Sequence, residues 1–150
     1  MVNIQKYSLR VVKESGGRYN LDKKIKRPEN AVSIFEEVLH LSQRTEEIFA
    51  MLTVNIKNQV TGVFVVSQGT LNASQVHPRE VFKRALLQNA AAIIVAHNHP
   101  SGITAPSGDD KKITERLIEA GEVIGVNVLD HLILGDDSFY SLRENGDVFA

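Results

Sequence analysis

Residues 97–110 read "HNHPSGITAPSGDD" and stand directly behind the apolar run "AAAIIVA". Side chains alternate faces along a strand, so His97 and His99 project to one side and Asn98 to the other. Two imidazoles on one face make half of a tetrahedral metal site. Pro100 has no backbone N–H to give a sheet ladder and favours ending the strand there. The chain then crosses a loop with Gly102 and Pro106 and starts a helix near Ser107, which leaves Asp110 in the first helical turn. From that turn its carboxylate can swing back over the strand end as a third ligand. Three nitrogen and oxygen ligands with a fourth position open to water describe a catalytic zinc site; a structural site would be closed by four protein ligands.

Each part also has a plainer explanation. Ser107-x-x-Asp110 has the form of a capping box, in which the serine caps the helix and the acid at the third helical position reaches back. Taken alone, capping is the favoured reading. A lone His-x-His is more often a surface pair or a satisfied core pair than a ligand set. The conjunction changes the balance, because packing does not require an apolar strand ending in His-x-His-Pro, a short loop and Ser-x-x-Asp together.

The elements that must position these residues follow from periodicity. "YSLRVV" reads as a short strand, and "KESGGRYNLDKKIKR", Lys13 to Arg27, as a solvated loop or edge ribbon. A nucleic-acid arm is the weaker alternative there, since only Tyr19 offers a stacking ring. A helix is expected from Pro28, with Val32, Phe35, Val38 and Leu39 on one face. "EIFAMLTVN" and "VTGVFVVSQG" read as a strand pair joined around Lys57 and Asn58. "HPREVFKRALLQNA" is a second helix opened by proline, with Phe82, Ala85 and Leu86 inward. "AAIIVAHNH" is apolar enough for a strand covered on both faces. "SGDDKKITERLIEAG" is a third helix, with Ile113, Leu117 and Ile118 inward and Gly121 as its C-cap. "VNVLDHLILG" and "SFYSL" are strands, and "ENGD" is a hairpin-type turn. In "VLDHLILG", alternation puts Asp130 and His131 on opposite faces. The order of strands and three helices indicates an α/β or α+β sheet domain.

Bulk properties narrow the function. The chain of 150 residues is most economically one domain, 1–150, with 1–27 as an N-terminal strand and basic loop region. Its 17 basic and 18 acidic residues balance to -1, so no strong field draws it to nucleic acid or anionic lipid. It has no cysteine, which excludes a thiol nucleophile and leaves nitrogen and oxygen to hold any metal. No apolar run approaches the roughly 20 residues that span a bilayer, and a cytoplasmic location is expected.

At the residues of the opening stretch the sequence resembles the JAB/MPN metalloprotease superfamily. The signature there is an upstream glutamate followed by His-x-His-Pro, six residues, then Ser-x-x-Asp, and "HNHPSGITAPSGDD" matches it with the spacing intact. "GTLNASQVHPREVFKRALLQNAAAIIVAHNHPSG" and "LDHLILG" are similar to the RadC-like branch, here as an isolated JAB domain with no room for a helix-hairpin-helix domain. The resemblance implies a zinc-dependent hydrolase fold with a mixed, mainly antiparallel β-sheet flanked by about three helices. It implies that His97, His99 and Asp110 ligate zinc, that Ser107 assists at the site, and that the substrate is a peptide or isopeptide bond of a protein or peptide. The upstream glutamate leading into an apolar strand fits "EIFAML", which selects Glu47 as general base. Glu46 is the neighbouring alternative, and Glu80 ranks third because a carboxylate in a first helical turn has a structural reason to be there. The resemblance also includes Asp130 and His131, for which a ligand-orienting role stands beside a buried structural one. Two rival functions come from other classes: a DNA-associated RadC-like protein, and a metal-free JAB-fold binding module. The dispersed residues of HNH nucleases do not match three adjacent ones.

Overall fold

Proline at the first helical position, where a missing N–H costs nothing, opens α1 (Pro28–Leu39) and α2 (Pro78–Leu87). A computed structural model describes residues 1–69 and 76–149. Residues 70–75, inside the stretch "GTLNASQV", and residue 150 lie outside the described residues. A short 3-10 turn (Leu41–Gln43) follows α1 and leads towards β1 (Ile48–Val54). A tight turn through Asn58, whose φ of 58° suits asparagine, returns the chain as β2 (Val60–Gln68). After α2 come β3 (Ala92–Asn98), α3 (Gly108–Ile124), β4 (Asn127–Leu134) and β5 (Phe139–Ser141). Among the described residues no helix is long and apolar enough to cross a membrane.

The strands form one mixed sheet in the order β2-β1-β3-β4-β5. Among the described residues only β3 and β4 run parallel; the other neighbours are antiparallel. A parallel pair needs a crossover, and α3 supplies it, so this helix leaves the carboxyl end of β3 and returns the chain to the start of β4. That topology decides where the first turn of α3 lies.

Alternation along the strands divides the core in two. Ala50, Leu52, Ile94, Ala96 and Leu132 meet Ala31, Ile34 and Phe35 of α1 on one side. Phe49, Met51, Ile93 and Val95 meet Val81 and Phe82 of α2 and Ile113 and Leu117 of α3 on the other. The inner strands β1 and β3 are buried throughout, as expected for strands covered on both faces.

Four local expectations are corrected. Residues 7–12 form no strand: 1–19 carry no regular element and are exposed, because an extended segment is stable only when another strand takes up its backbone groups. Leu86 is 53% exposed, since it lies about 95° around the helix from the centre of the stripe formed by Val81, Phe82 and Ala85. The C-cap of α3 is Gly125, at φ 87°, and Gly121 is buried inside the helix. A Cβ on Gly121 would stand 2.5 Å from the Val126 carbonyl oxygen, so close approach explains that glycine. "ENGD" closes a turn after β5, with Asp147 N–H on the Leu142 carbonyl at 2.8 Å, and joins no strand pair.

Candidate metal centre

His97 occupies the face of β3 that carries Ile93 and Val95, towards α3, and His99 follows one residue past the strand end. The two Nε2 atoms are 2.9 Å apart. The first turn of α3 adds the third group: Asp110 Oδ1 lies 3.1 Å from His97 Nε2 and Oδ2 3.1 Å from His99 Nε2. These residues form a group that could hold a metal ion. Donor atoms set tetrahedrally at about 2.1 Å from zinc are roughly 3.4 Å apart, so the observed spacing fits such an ion after shifts of a few tenths of an ångström. His97 and Asp110 are 1% and 6% exposed, which is unusual for such groups unless they are partnered.

The electrostatics favour positive charge at the point of convergence. Burial works to raise the Asp110 carboxyl, but the His97 and His99 imidazoles in contact with it outweigh that and hold the group well below the ordinary carboxylate range. The hydrogen bond to Asp110 raises His99 above its usual value against the effect of burial, and the charge of Glu47 adds to the rise. Each ring also has its second nitrogen engaged. His99 Nδ1 lies 2.7 Å from the Ile103 carbonyl, which can only accept, so that nitrogen carries a hydrogen and in the neutral ring Nε2 is left with its lone pair. His97 Nδ1 lies 2.7 Å from His131 Nε2.

Capping and convergence coexist at the start of α3. Ser107 Oγ accepts from the Asp110 N–H at 3.0 Å, while Asp110 Oδ2 accepts from the Ser107 N–H at 2.8 Å. The same carboxylate therefore closes the helix end and faces both imidazoles. Ser107 is exposed, and accepting a bond from Asp110 leaves its own O–H free to donate.

Glu47 is half-buried immediately before β1, close enough to His99 for its charge to act on the ring. Glu46 is exposed, and Glu80 lies on α2 against Lys83 and Arg84, at 2.6 and 3.2 Å. The segment bearing Glu47 is held by Asn98, whose side chain accepts from the Ile48 N–H at 2.7 Å and donates to the carbonyls of Glu46 (2.9 Å) and Arg44 (3.2 Å). Asn98 points away from the imidazoles, as alternation requires, yet it fixes the chain beside them. Its sequence signal is a polar residue on a fully buried strand face.

Asp130 and His131 separate in the way their alternation implies. Asp130 accepts from Ser141 Oγ at 2.6 Å and from the Arg143 N–H at 3.1 Å, tying β5 and the turn after it to β4. His131 is fully buried beside His97, edge-on to the Phe49 ring. Burial, with the neighbouring His97, holds its pKa well below the usual value, so the ring is neutral. Sequence reasoning did not single out Thr114, which is 2.6 Å from His131 Nδ1; the available signal was a hydroxyl on the buried stripe with Ile113 and Leu117.

A family model described as "RadC-like JAB domain" matches residues 25–147. The chain is 50% identical over 122 residues to a "UPF0758 protein" of Desulforudis audaxviator, covering 81% of this chain and 52% of the relative. A "UPF0758 protein" of Alkaliphilus oremlandii is 49% identical over 123 residues, at 81% and 52% coverage. One of Symbiobacterium thermophilum is 51% identical over 121 residues, at 78% and 50%. The chain thus spans about half the length of the curated relatives it matches.

Proposed function

The chain belongs to the RadC-like JAB domain family, and on that premise we propose that it is a zinc-dependent hydrolase acting on a peptide or isopeptide bond. The observation that carries this reading is the convergence of His97, His99 and Asp110 from a strand end and a helix start. In it, His97 and His99 would hold the metal through Nε2 and Asp110 through a carboxylate oxygen. Zinc held there supplies a Lewis acid and lowers the pKa of a bound water towards neutrality.

The remaining work falls to the chain's own groups. Glu47, on the segment fixed by Asn98, takes the proton released as water attacks the carbonyl carbon and returns it to the leaving amine. The Ser107 hydroxyl, uncommitted as a donor, stabilises the negative charge that develops on the carbonyl oxygen. The acid and base steps thus sit on the β1 side of the site and the oxyanion contact on the α3 side.

The test uses protein purified without added metal. Near-stoichiometric zinc, together with zinc-dependent cleavage of a peptide or isopeptide library, is the expected result. Glu47→Gln should keep the metal and lower turnover by about 100-fold or more, in line with the loss of a general base. No affinity for any divalent ion would refute the hydrolase, and full activity in the Glu47 variant would move the base elsewhere.

A further inference from the structure

Behind the candidate metal centre runs a closed chain of hydrogen bonds that begins on one ligand and ends on another. His97 Nδ1 meets His131 Nε2 at 2.7 Å, His131 Nδ1 meets Thr114 Oγ1 at 2.6 Å, and Thr114 Oγ1 meets the Asp110 backbone carbonyl at 2.7 Å. All four residues are buried, with Thr114 and His131 at 0% exposure, so water does not satisfy any of these atoms in their place.

The direction of the chain is set at its far end. A carbonyl oxygen can only accept, so the one hydrogen of the Thr114 hydroxyl goes to Asp110 O. Thr114 Oγ1 must then accept from His131, which places the His131 hydrogen on Nδ1. A neutral imidazole with its hydrogen on Nδ1 has a bare Nε2, and that nitrogen accepts from His97 Nδ1–H. His97 is thereby left with its lone pair on Nε2, the atom that faces Asp110 and His99. Reversing the chain would strand the Thr114 oxygen against the carbonyl with no hydrogen between them and put a hydrogen on His97 Nε2, where a cation belongs.

We infer that His131 and Thr114 are positioning residues that fix the tautomer of His97, keeping its Nε2 lone pair aimed at the metal position. Asp110 takes part twice, as a ligand through its carboxylate and as the anchor of the chain through its carbonyl. The register of helix α3 thus governs both the third ligand and the protonation pattern of the first. This inference rests on the metal-binding reading above and adds to it a cause for ligand readiness in residues that touch neither metal nor substrate.

The experiment compares the full chain with Thr114→Val, which keeps the shape and removes the hydroxyl, and Thr114→Ser, which keeps the hydroxyl. Zinc affinity is measured by chelator competition. The valine variant should bind about 10- to 100-fold more weakly, the usual cost of losing a ligand's outer partner, and the serine variant should stay within about threefold of the unaltered protein. Nitrogen-15 spectra of the histidine rings in the unaltered protein give the second readout, which stands whether or not the valine variant folds. They should find His131 neutral with hydrogen on Nδ1 and a bare Nε2. Unchanged affinity in the valine variant, a serine variant as weak as the valine one, or hydrogen on His131 Nε2 would each overturn the inference. Absence of zinc binding by the unaltered protein would instead refute the metal reading itself, and this inference with it.

Discussion

Helices α2 and α3 begin alike. A side chain caps each, His77 Nδ1 accepting from the Arg79 N–H at 3.1 Å and Ser107 Oγ from the Asp110 N–H at 3.0 Å. Each carries an acid at its third position, Glu80 in α2 and Asp110 in α3. Yet the Glu80 side chain is 38% exposed and, among the described residues, meets Lys83 and Arg84 of its own helix, whereas that of Asp110 is 8% exposed and meets two imidazoles at the end of β3. Topology makes the difference. Helix α3 is the crossover between parallel strands and must start beside the carboxyl end of β3, the place where open α/β sheets assemble their sites. Helix α2 leads into the amino end of β3, far along the strand from His97. A capping motif becomes part of a site only when the fold delivers it to matching partners.

Charge removal at the two helix starts tests that comparison, beginning with the largest effect. Asp110→Asn keeps a side-chain oxygen for the cap but removes the charge a dication needs, and zinc affinity should fall by more than about 100-fold, beyond the usual cost of losing an outer partner. The variant should also lose most of the rise in melting temperature that zinc gives the unaltered protein, because a metal bound only by the native state stabilises by mass action. Affinity equal to that of the unaltered chain would reduce Asp110 to a helix cap. Ser107→Ala comes next: urea unfolding of the metal-free protein should register a loss of about 1 kcal/mol, with zinc affinity retained. If stability does not move, the cap contributes nothing, and if affinity collapses, the serine belongs with the ligands. Glu80→Gln should be the smallest, with zinc affinity unchanged and stability within scatter, because exposed ion pairs contribute little. A drop in affinity there would break the distinction between the two helix starts.

Much of this arrangement was legible in the chain because it is local. Pro28, Pro78 and Ser107 mark the three helix starts, and alternation alone puts His97 and His99 together and Asn98 opposite. What could not be read is what depends on distant partners. Asn98 meets the Ile48 N–H across 50 positions of sequence, and His131 meets His97 across 34, so neither partner leaves a local pattern, and a ligand-orienting role for His131 came from the family resemblance alone. Gly121 looked like a helix end because glycine commonly ends helices, but the constraint on it is the later carbonyl of Val126. "YSLRVV" has the β-branched character of a strand, and strand character cannot supply the partner that would make it one.

The central claim is that one cation is held by His97, His99 and Asp110. Crystals grown with zinc and measured on both sides of its absorption edge test it directly. A single anomalous peak should lie about 2.0 to 2.2 Å from Nε2 of both histidines and from a carboxylate oxygen of Asp110. No peak at that point in zinc-saturated crystals, or a peak held by other side chains, would contradict the account.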